Sequence, residues 1–159
     1  MSLETFVSKA EEQVGNGGNT YTTWFGVPAS TAWCAIFVSW CANEADILTT
    51  EATASPPDVY KTAGVGTMRQ WYNDNHRAFT ISASETSSNY PKPGDLVTIR
   101  PTSTQVDHGH IGIVVETDGN KITTVEGNTG GEVKRVTYTN LFADDYGTLL
   151  WVLSNHTSW

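Results

Sequence analysis

Cationic residues are scarce in this chain of 159 residues. Nine Lys and Arg stand against 17 Asp and Glu, which gives a formal net charge of −8 at pH 7, and the longest basic cluster is the pair Lys134-Arg135. Nucleic-acid binding needs clustered cations that neutralise phosphates. The composition therefore excludes nucleic acid as an expected partner.

Long hydrophobic runs are absent, and so is a recognisable secretion signal. No stretch approaches the roughly 20 consecutive apolar residues of a membrane span, so we expect no membrane partner. Residues Met1 to Thr5 show no basic start followed by an apolar run, so we expect no signal peptide in this chain. No internal repeat is evident, and the length and the hydrophobic content of 38 % predict one domain over residues 1–159.

Two cysteines, Cys34 and Cys41, are the only residues with a thiol. They lie seven residues apart in a segment with a helical pattern, which separates them by about 10.5 Å along the axis at ~1.5 Å per residue. A disulfide requires Cα atoms within about 7 Å of each other. We therefore expect two free thiols and no disulfide framework.

The first part of the chain has the hydrophobic spacing of helices. Helices are predicted over residues 2–14, 31–47 and 65–76, and loops over residues 15–30, 48–57 and 80–93. The helix over residues 31–47 is apolar on nearly every side, which is typical of a helix buried inside a domain. We expect it to form the centre of the fold.

The chain after Pro93 has the short β-branched runs typical of strands. Five strands are predicted, over residues 96–99, 110–116, 121–126, 133–138 and 148–153. Helices come first and strands follow, without the alternation that marks a parallel sheet. This order predicts an α+β domain with an antiparallel sheet.

Cys34 lies near the predicted start of the central helix. Thr31 is a suitable N-cap, which would make Cys34 the third helical residue, in the turn where unpaired backbone N–H groups and the helix dipole stabilise a thiolate. Such a thiolate is a candidate nucleophile. Cys41, in the middle of the same helix, is expected to be a buried apolar residue.

A thiolate nucleophile needs a proton partner, and His110 is the best candidate among the four histidines. It follows Gly109 and begins an apolar strand, so its ring can be held rigidly at the start of that strand. His108 is a nearby rival. His76 and His156 lie where a solvated surface histidine is expected.

Glu126 and Asn128 can orient the imidazole. They are two residues apart near the end of the next predicted strand, so both point to the same face of a sheet. Each is a weak signal by itself, because Glu-Gly-Asn is also a common turn sequence. The combination of a cysteine at a helix start, a histidine on one strand and these two residues on the neighbouring strand favours a catalytic site.

The hairpin between the two strands decides whether Glu126 can reach His110. A two-residue Asp118-Gly119 turn would place the two side chains on opposite faces of the sheet. We therefore expect a loop of odd length, or an even loop corrected by a β-bulge. Glu126 would then lie beside Gly112, which leaves room for it.

Four sequence blocks around these residues match a known family in order and spacing. They are Trp33-Cys34-Ala35-Ile36-Phe37-Val38-Ser39-Trp40-Cys41, Gly94-Asp95-Leu96-Val97, Gly109-His110-Ile111-Gly112-Ile113-Val114 and Val125-Glu126-Gly127-Asn128. From about Thr5 to Leu153 the chain resembles the CHAP family of cysteine- and histidine-dependent amidohydrolases and peptidases, as found in phage endolysins and tail-associated lysins. The resemblance implies a single catalytic domain over residues 1–159 with a papain-like α+β fold. In that fold N-terminal helices, including a buried central helix that starts at the cysteine, pack on an antiparallel sheet of five or six strands.

The resemblance also implies the chemistry of the site. The substrate would be peptidoglycan at the bacterial cell wall, cut either at the N-acetylmuramoyl-L-alanine amide or at a stem- or bridge-peptide bond. Four residues match the family's catalytic positions: Cys34 as nucleophile, His110 as general base and acid, Glu126 as the orienting group and Asn128 in support. Because an acidic domain is not held electrostatically on an anionic wall, a wall-targeting module or a larger lysin assembly is an expected partner.

The oxyanion site and the metal content need separate expectations. The backbone N–H of Cys34 would bind the oxyanion, and either Tyr21 or Asn19 is a candidate for the second donor. Several phage members have an Asp-rich calcium loop ahead of the cysteine, whereas residues 16–21 contain no carboxylate. Because Ca²⁺ is normally held by carboxylates, we expect no structural calcium, no other metal and no cofactor.

Two other functions remain open. The segment Asp107-His108-Gly109-His110 contains the His-x-His spacing of zinc peptidases that also act on cell walls, although the second motif of such enzymes, His followed seven positions later by Asp, is missing. A catalytically silent wall-binding module is the other alternative, because 6 Trp and 6 Tyr could stack on sugars. Chelator sensitivity would indicate the first, and lysis that survives thiol alkylation would argue against a cysteine enzyme.

Overall fold

The computed structural model describes residues 2–80, 91–99, 109–119, 121–139 and 149–156. In these ranges the chain forms four helices, α1 (Leu3–Glu12), α2 (Asn19–Phe25), α3 (Cys34–Glu44) and α4 (Val65–Asp74). It also forms eight strands: β1 (Leu48–Thr49), β2 (Val59–Tyr60), β3 (Ala78–Thr80), β4 (Leu96–Ile99), β5 (His110–Asp118), β6 (Lys121–Thr129), β7 (Glu132–Tyr138) and β8 (Leu149–Leu153). No helix in the described ranges is long and apolar enough to span a bilayer. Most of the loop predicted over residues 80–93 lies outside these ranges.

Six strands form one antiparallel sheet in the order β3-β8-β4-β5-β6-β7. The strands β1 and β2 form a separate parallel pair within a segment predicted mainly as loop. The α+β prediction is confirmed, and so are the five predicted strands. The strand β3 was not predicted, because its three residues, paired with β8 at the edge of the sheet, are too few to show a period of two.

The helix α3 is the buried centre of the fold. It packs against β5 and β6, and α1, α2 and α4 also contact it. Ala35, Ile36 and Phe37 have no exposed surface, and full burial of a side chain as large as Ile or Phe contributes about 1.5–3 kcal/mol. The prediction of a buried central helix is confirmed, because a helix that is apolar all round is stable only where each side meets another element.

The central helix begins later than predicted. Thr31 is not the N-cap, and its N–H donates to the carbonyl of Pro28 at 3.0 Å in a separate turn. Helical geometry begins at Cys34, with Trp33 as the N-cap, and ends at Glu44. Cys34 is therefore the first helical residue rather than the third.

A short helix, α2, lies in the segment predicted to be a loop. Gly18 precedes it, and Gly26 ends it in the left-handed conformation (φ 91°), which glycine adopts without strain. One side of this helix, with Tyr21 and Thr22, is buried. A helix of seven residues is stabilised by tertiary packing rather than by propensity, so its Gly-, Asn- and Thr-rich sequence did not indicate it.

A buried polar network ties the end of β8 to the start of β4. The Asp95 carboxylate accepts a hydrogen bond from the N–H of Asn155 at 2.9 Å. The Asn155 side chain accepts from the hydroxyl of Tyr72 (2.5 Å) and from Arg77 (2.8 Å), and it donates to the carbonyl of Gly94 (2.8 Å). The network holds β4, the strand that pairs with β5, beside β8.

Candidate active site

The His110 imidazole and the Glu126 carboxylate form a direct hydrogen bond. His110 begins β5 and Glu126 lies near the end of β6, the adjacent strand. Nε2 of His110 is 3.0 Å from Oε1 of Glu126. Because a carboxylate only accepts, Nε2 carries a proton, and Nδ1 is left for a second partner.

The Cys34 thiol is the second group that acts on the imidazole. Burial by itself lowers the pKa of His110, but hydrogen bonds and charge from Cys34 and Glu126 outweigh it and raise the pKa to about 9. An imidazole with this pKa is cationic at neutral pH. The structure thus brings a thiol, an imidazole and a carboxylate together from α3, β5 and β6.

The Glu126 carboxylate is buried and has several hydrogen-bond donors. Oε2 accepts short hydrogen bonds from the hydroxyls of Thr124 and Tyr138, both at 2.6 Å. The Thr129 hydroxyl lies 3.5 Å from Oε1 and 3.3 Å from Nε2 of His110. Burial raises the pKa of Glu126, but hydrogen bonds from the imidazole and from the hydroxyls of Thr124 and Tyr138 outweigh it, so the pKa lies below its ordinary value. The carboxylate therefore stays ionised although it is buried.

Trp33 fixes the position at which α3 begins, directly before Cys34. A Cβ on Gly18 would lie 2.5 Å from the indole ring and one on Gly127 would lie 2.9 Å from it, so the ring fits between two glycines. The ring also stacks on Tyr21, with 5.4 Å between centroids. The Trp33 side chain makes no capping hydrogen bond, so it leaves the backbone N–H groups of the first turn of α3, including that of Cys34, uncapped.

The β5–β6 hairpin has an even-length connection corrected by a β-bulge. Asp118 pairs with Lys121 across two residues, and the register shifts around Val115. The connection begins one residue later than the Asp-Gly turn considered from the sequence. Beyond the bulge Glu126 lies against Gly112, where a Cβ would be 2.9 Å from Cγ of the glutamate. The second form of the register prediction is confirmed, and so is the room that Gly112 provides.

Asn128 lies outside the hydrogen-bond network of the imidazole. Its backbone is left-handed (φ 59°), a conformation that asparagine tolerates. Its side chain forms no hydrogen bond to any part of the chain that the structure describes, whereas the next residue, Thr129, lies beside His110. What Asn128 contributes to this geometry is the backbone turn that precedes Thr129.

The two side chains considered as oxyanion donors have other surroundings. Tyr21 is fully buried, and its hydroxyl donates to Oε1 of Gln13 at 3.0 Å. Asn19 is exposed at the start of α2 and lines a surface depression of about 390 Å³ formed by residues 16–20. Neither side chain forms a hydrogen bond with Cys34 in the described ranges. The backbone N–H of Cys34, the other expected oxyanion donor, lies at the start of α3.

His76, His156 and the second cysteine, Cys41, lie apart from this site. His76 is exposed, and Nε2 of His156 is 3.0 Å from the carbonyl of Pro93. His108 lies outside the described residues. Both cysteines are free, as expected. Burial, together with the charge of a nearby glutamate, raises the pKa of Cys41 well above its ordinary value, so Cys41 remains a protonated thiol.

Sequence reasoning did not identify the three hydroxyls around Glu126. Thr124 precedes Glu126 by two residues, so the period of a strand could have indicated it. Tyr138 reaches Glu126 from β7, which depends on a register that no motif encodes. Thr129 lies at the shift in register that separates it from Glu126 in the β6–β7 ladder, and such a shift is not visible in the sequence.

Comparisons with known proteins agree with this architecture. A family model described as CHAP domain matches residues 26–128, well over half of the chain. The crystal structure of Ly7917 has a TM-score of 0.56 and 19 % identity, with 98 % of this chain and 62 % of that chain covered. The crystal structure of Ly7917 with the hydrolyzing product of MDP has the same TM-score and identity, with 97 % and 63 % covered.

The likeness to the solved structures concerns the fold, because the identity is low. The arrangement is the papain-like α+β fold that the sequence blocks imply. This chain spans about three fifths of the length of the solved chains it matches. No curated protein matches it.

Proposed function

Because the chain belongs to the CHAP domain family, we propose that it is a cysteine-dependent peptidoglycan hydrolase that cleaves an amide bond of the bacterial cell wall. The observation that carries the proposal is the hydrogen bond from the His110 imidazole to the Glu126 carboxylate, together with the influence of the Cys34 thiol on the charge of the same imidazole. A thiol in this setting is activated as a nucleophile, and the imidazole can return a proton to a leaving group.

The proposed reaction is an acyl transfer through a thioester. The Cys34 thiolate attacks the carbonyl carbon of the amide, and the backbone N–H of Cys34 donates to the oxyanion that forms. The His110 imidazolium gives its Nδ1 proton to the leaving amine, and the C–N bond breaks. The neutral imidazole then takes a proton from water, which hydrolyses the thioester and regenerates the thiolate and the imidazolium.

Glu126 acts through His110 in this scheme. Its carboxylate accepts the Nε2–H hydrogen bond throughout the cycle, which keeps Nδ1 directed at Cys34 and stabilises the cationic ring. The same hydrogen bond also bears on the zinc alternative. Nε2 of His110 is hydrogen-bonded to Glu126, so zinc bound at this nitrogen would break that hydrogen bond.

Peptidoglycan is the proposed substrate because of the family and because the similar protein Ly7917 has been crystallised with the hydrolyzing product of MDP. The bond cut is either the N-acetylmuramoyl-L-alanine amide or a stem- or bridge-peptide bond. The proposed place of action is the bacterial cell wall. A wall-targeting module or a larger lysin assembly would hold this acidic domain there.

Digestion of purified peptidoglycan tests the proposal. The wild-type chain should release soluble fragments with new amino groups, and mass spectrometry of the fragments identifies the bond. Cys34→Ala should abolish release, while Cys41→Ala, the matched control in the same helix, should lose only stability, by about 1 kcal/mol. An active Cys34→Ala protein would contradict the nucleophile assignment, and loss of activity with a chelator but not with iodoacetamide would favour zinc.

A further inference from the structure

The Glu126 carboxylate is shared between two sets of donors. Oε1 accepts the hydrogen bond from His110. Oε2 points the other way and accepts from the Tyr138 hydroxyl and the Thr124 hydroxyl, each at 2.6 Å. Hydrogen bonds to a charged acceptor at this distance are among the stronger ones in proteins. The two hydroxyls therefore help to orient the carboxylate and, with the imidazole, to keep it ionised.

From this geometry we infer that Tyr138, together with Thr124, is a positioning residue that holds Glu126 ionised and aimed at His110, and thereby keeps the imidazole cationic beside Cys34. This inference rests on the proposed function for its catalytic consequence, but the charge relation can be measured without any substrate. The hydrogen bond from Tyr138 ends on Oε2 of Glu126, and the proposed effect on the imidazole is transmitted through that carboxylate.

The register of the sheet explains why a residue on β7 can do this. Tyr138 pairs with Ile122, and Thr124 pairs with Val136, so these side chains share a face with Glu126. Glu126 itself is opposite Lys134, whose side chain is exposed. Tyr138 reaches back over its neighbours on this face to the buried oxygen.

Few titratable groups face the carboxylate in the part of the chain that is described. They are His110 from β5, Tyr138 from β7 and, beyond the imidazole, Cys34 from α3. Lys134 is the neighbouring charge on β7 and forms no ion pair with Glu126 in that part of the chain. Removal of one hydroxyl therefore leaves a buried carboxylate with fewer donors and no new counter-charge.

The expected sign of the change follows from burial. Loss of the Tyr138 hydroxyl removes one of the hydrogen bonds that lower the pKa of Glu126, so the effect of burial is less opposed and this pKa rises. The carboxylate also loses a hydrogen bond that holds Oε1 toward Nε2, so it stabilises the His110 cation less and the pKa of His110 falls from about 9. The upper limit of the pH range in which His110 is a cation moves to lower pH.

The experiment measures the His110 titration and the pH–rate profile on the same variants. The His110 ring resonance, assigned by its loss in His110→Gln, is followed by NMR from pH 5 to 11, a range that brackets the pKa of about 9. Release of amines from peptidoglycan is measured over the same range. Tyr138→Phe is compared with Tyr60→Phe, a matched control on β2 whose hydroxyl forms no hydrogen bond within the described residues.

The inference expects Tyr138→Phe to titrate His110 at lower pH, to move the basic limb of the rate profile in the same direction and to lower the rate near neutrality about tenfold. Tyr60→Phe should change none of these. A folded Tyr138→Phe protein with an unchanged His110 midpoint, whatever its rate, overturns the inference. If Tyr138→Phe does not fold, Thr124→Val, which removes the other short hydrogen bond, is judged by the same criterion. A wild-type chain that releases no amines would refute the proposed function, and the NMR midpoints would still decide the inference.

Discussion

Gly112 and Glu126 lie so close together that no side chain fits opposite the carboxylate. A Cβ on Gly112 would be 2.9 Å from Cγ and 3.3 Å from Oε2 of Glu126, and 3.1 Å from Cβ of Thr124. Because these are neighbours across an antiparallel ladder with the backbones fixed, the glutamate would have to turn away. A glycine in β5 is thus what allows a carboxylate from β6 to reach the imidazole.

Gly112→Ala should therefore inactivate the protein without unfolding it. We expect a loss of about 100-fold in the rate of peptidoglycan hydrolysis, since displacement of a catalytic group by about 1 Å costs this much, and a loss of about 1–3 kcal/mol in the free energy of unfolding. Gly64→Ala is the control, because only the rotatable hydroxyl of Thr67 lies within 3.3 Å of the added Cβ. Equal rates for the two variants would show that the carboxylate is not needed in its present place.

The raised pKa of His110 predicts how stability depends on pH. Its pKa is about 9 in the folded chain against 6.5 for an unperturbed histidine, so between these values the folded state binds more protons than the unfolded state. The stabilising contribution of His110 is complete below pH about 6.5 and is lost as pH rises toward 9. Denaturant unfolding of wild type and His110→Gln over this window should show a steeper decline for wild type. Parallel curves would mean that His110 is not held as a cation.

Thr129 and Asn128 are expected to differ as substitution sites. Thr129→Val removes the hydroxyl beside Nε2 of His110 and should lower the hydrolysis rate several-fold, the effect of one hydrogen bond of about 1 kcal/mol. Asn128→Gly keeps the left-handed backbone and removes a side chain without a hydrogen bond in the described ranges, so its rate should stay close to wild type. Steady-state rates at saturating peptidoglycan make the comparison. A dead Asn128→Gly variant would show that the amide acts on bound substrate.

Asn155→Ala should weaken the fold and leave the chemistry intact. The change removes the acceptor of two donors, Tyr72 and the buried guanidinium of Arg77, and the donor to Gly94. Leaving buried groups without partners costs about 1–3 kcal/mol each for neutral groups. We expect the midpoint of urea unfolding to fall, with an unchanged rate per folded molecule at low temperature. An unchanged midpoint would show that water replaces the amide.

The local pattern of the sequence is sufficient for the type of most elements. The all-round apolar character of residues 34–44 predicts burial wherever the helix lies, because no orientation exposes it without cost. The β-branched runs after Pro93 predict strands for the same local reason. The helix α2 and the strand β3 are not predicted from the sequence, because tertiary packing rather than local propensity stabilises such short elements. The start of α3 also lies at Cys34 rather than at the predicted Thr31. The turn at Thr31 and the packing of the Trp33 ring between two glycines outweigh the capping preference of threonine.

Some residues of the candidate site can likewise be named from the sequence, whereas others are found only in the tertiary structure. Cys34, His110 and Glu126 could be named from the sequence, because their residue types and the blocks around them specify a chemistry. The need for a register that puts Glu126 on the face of His110 also followed from period-two geometry, and the bulge that satisfies it was one of two allowed solutions. Only the tertiary structure brings Tyr138 to the far oxygen of Glu126 and places Thr129 rather than Asn128 beside the imidazole. Those contacts depend on how β7 pairs with β6 and on a shift in register within that pair of strands. Neither the register nor its shift can be read from the sequences of the two strands, because pairing is decided by the packing of the whole sheet.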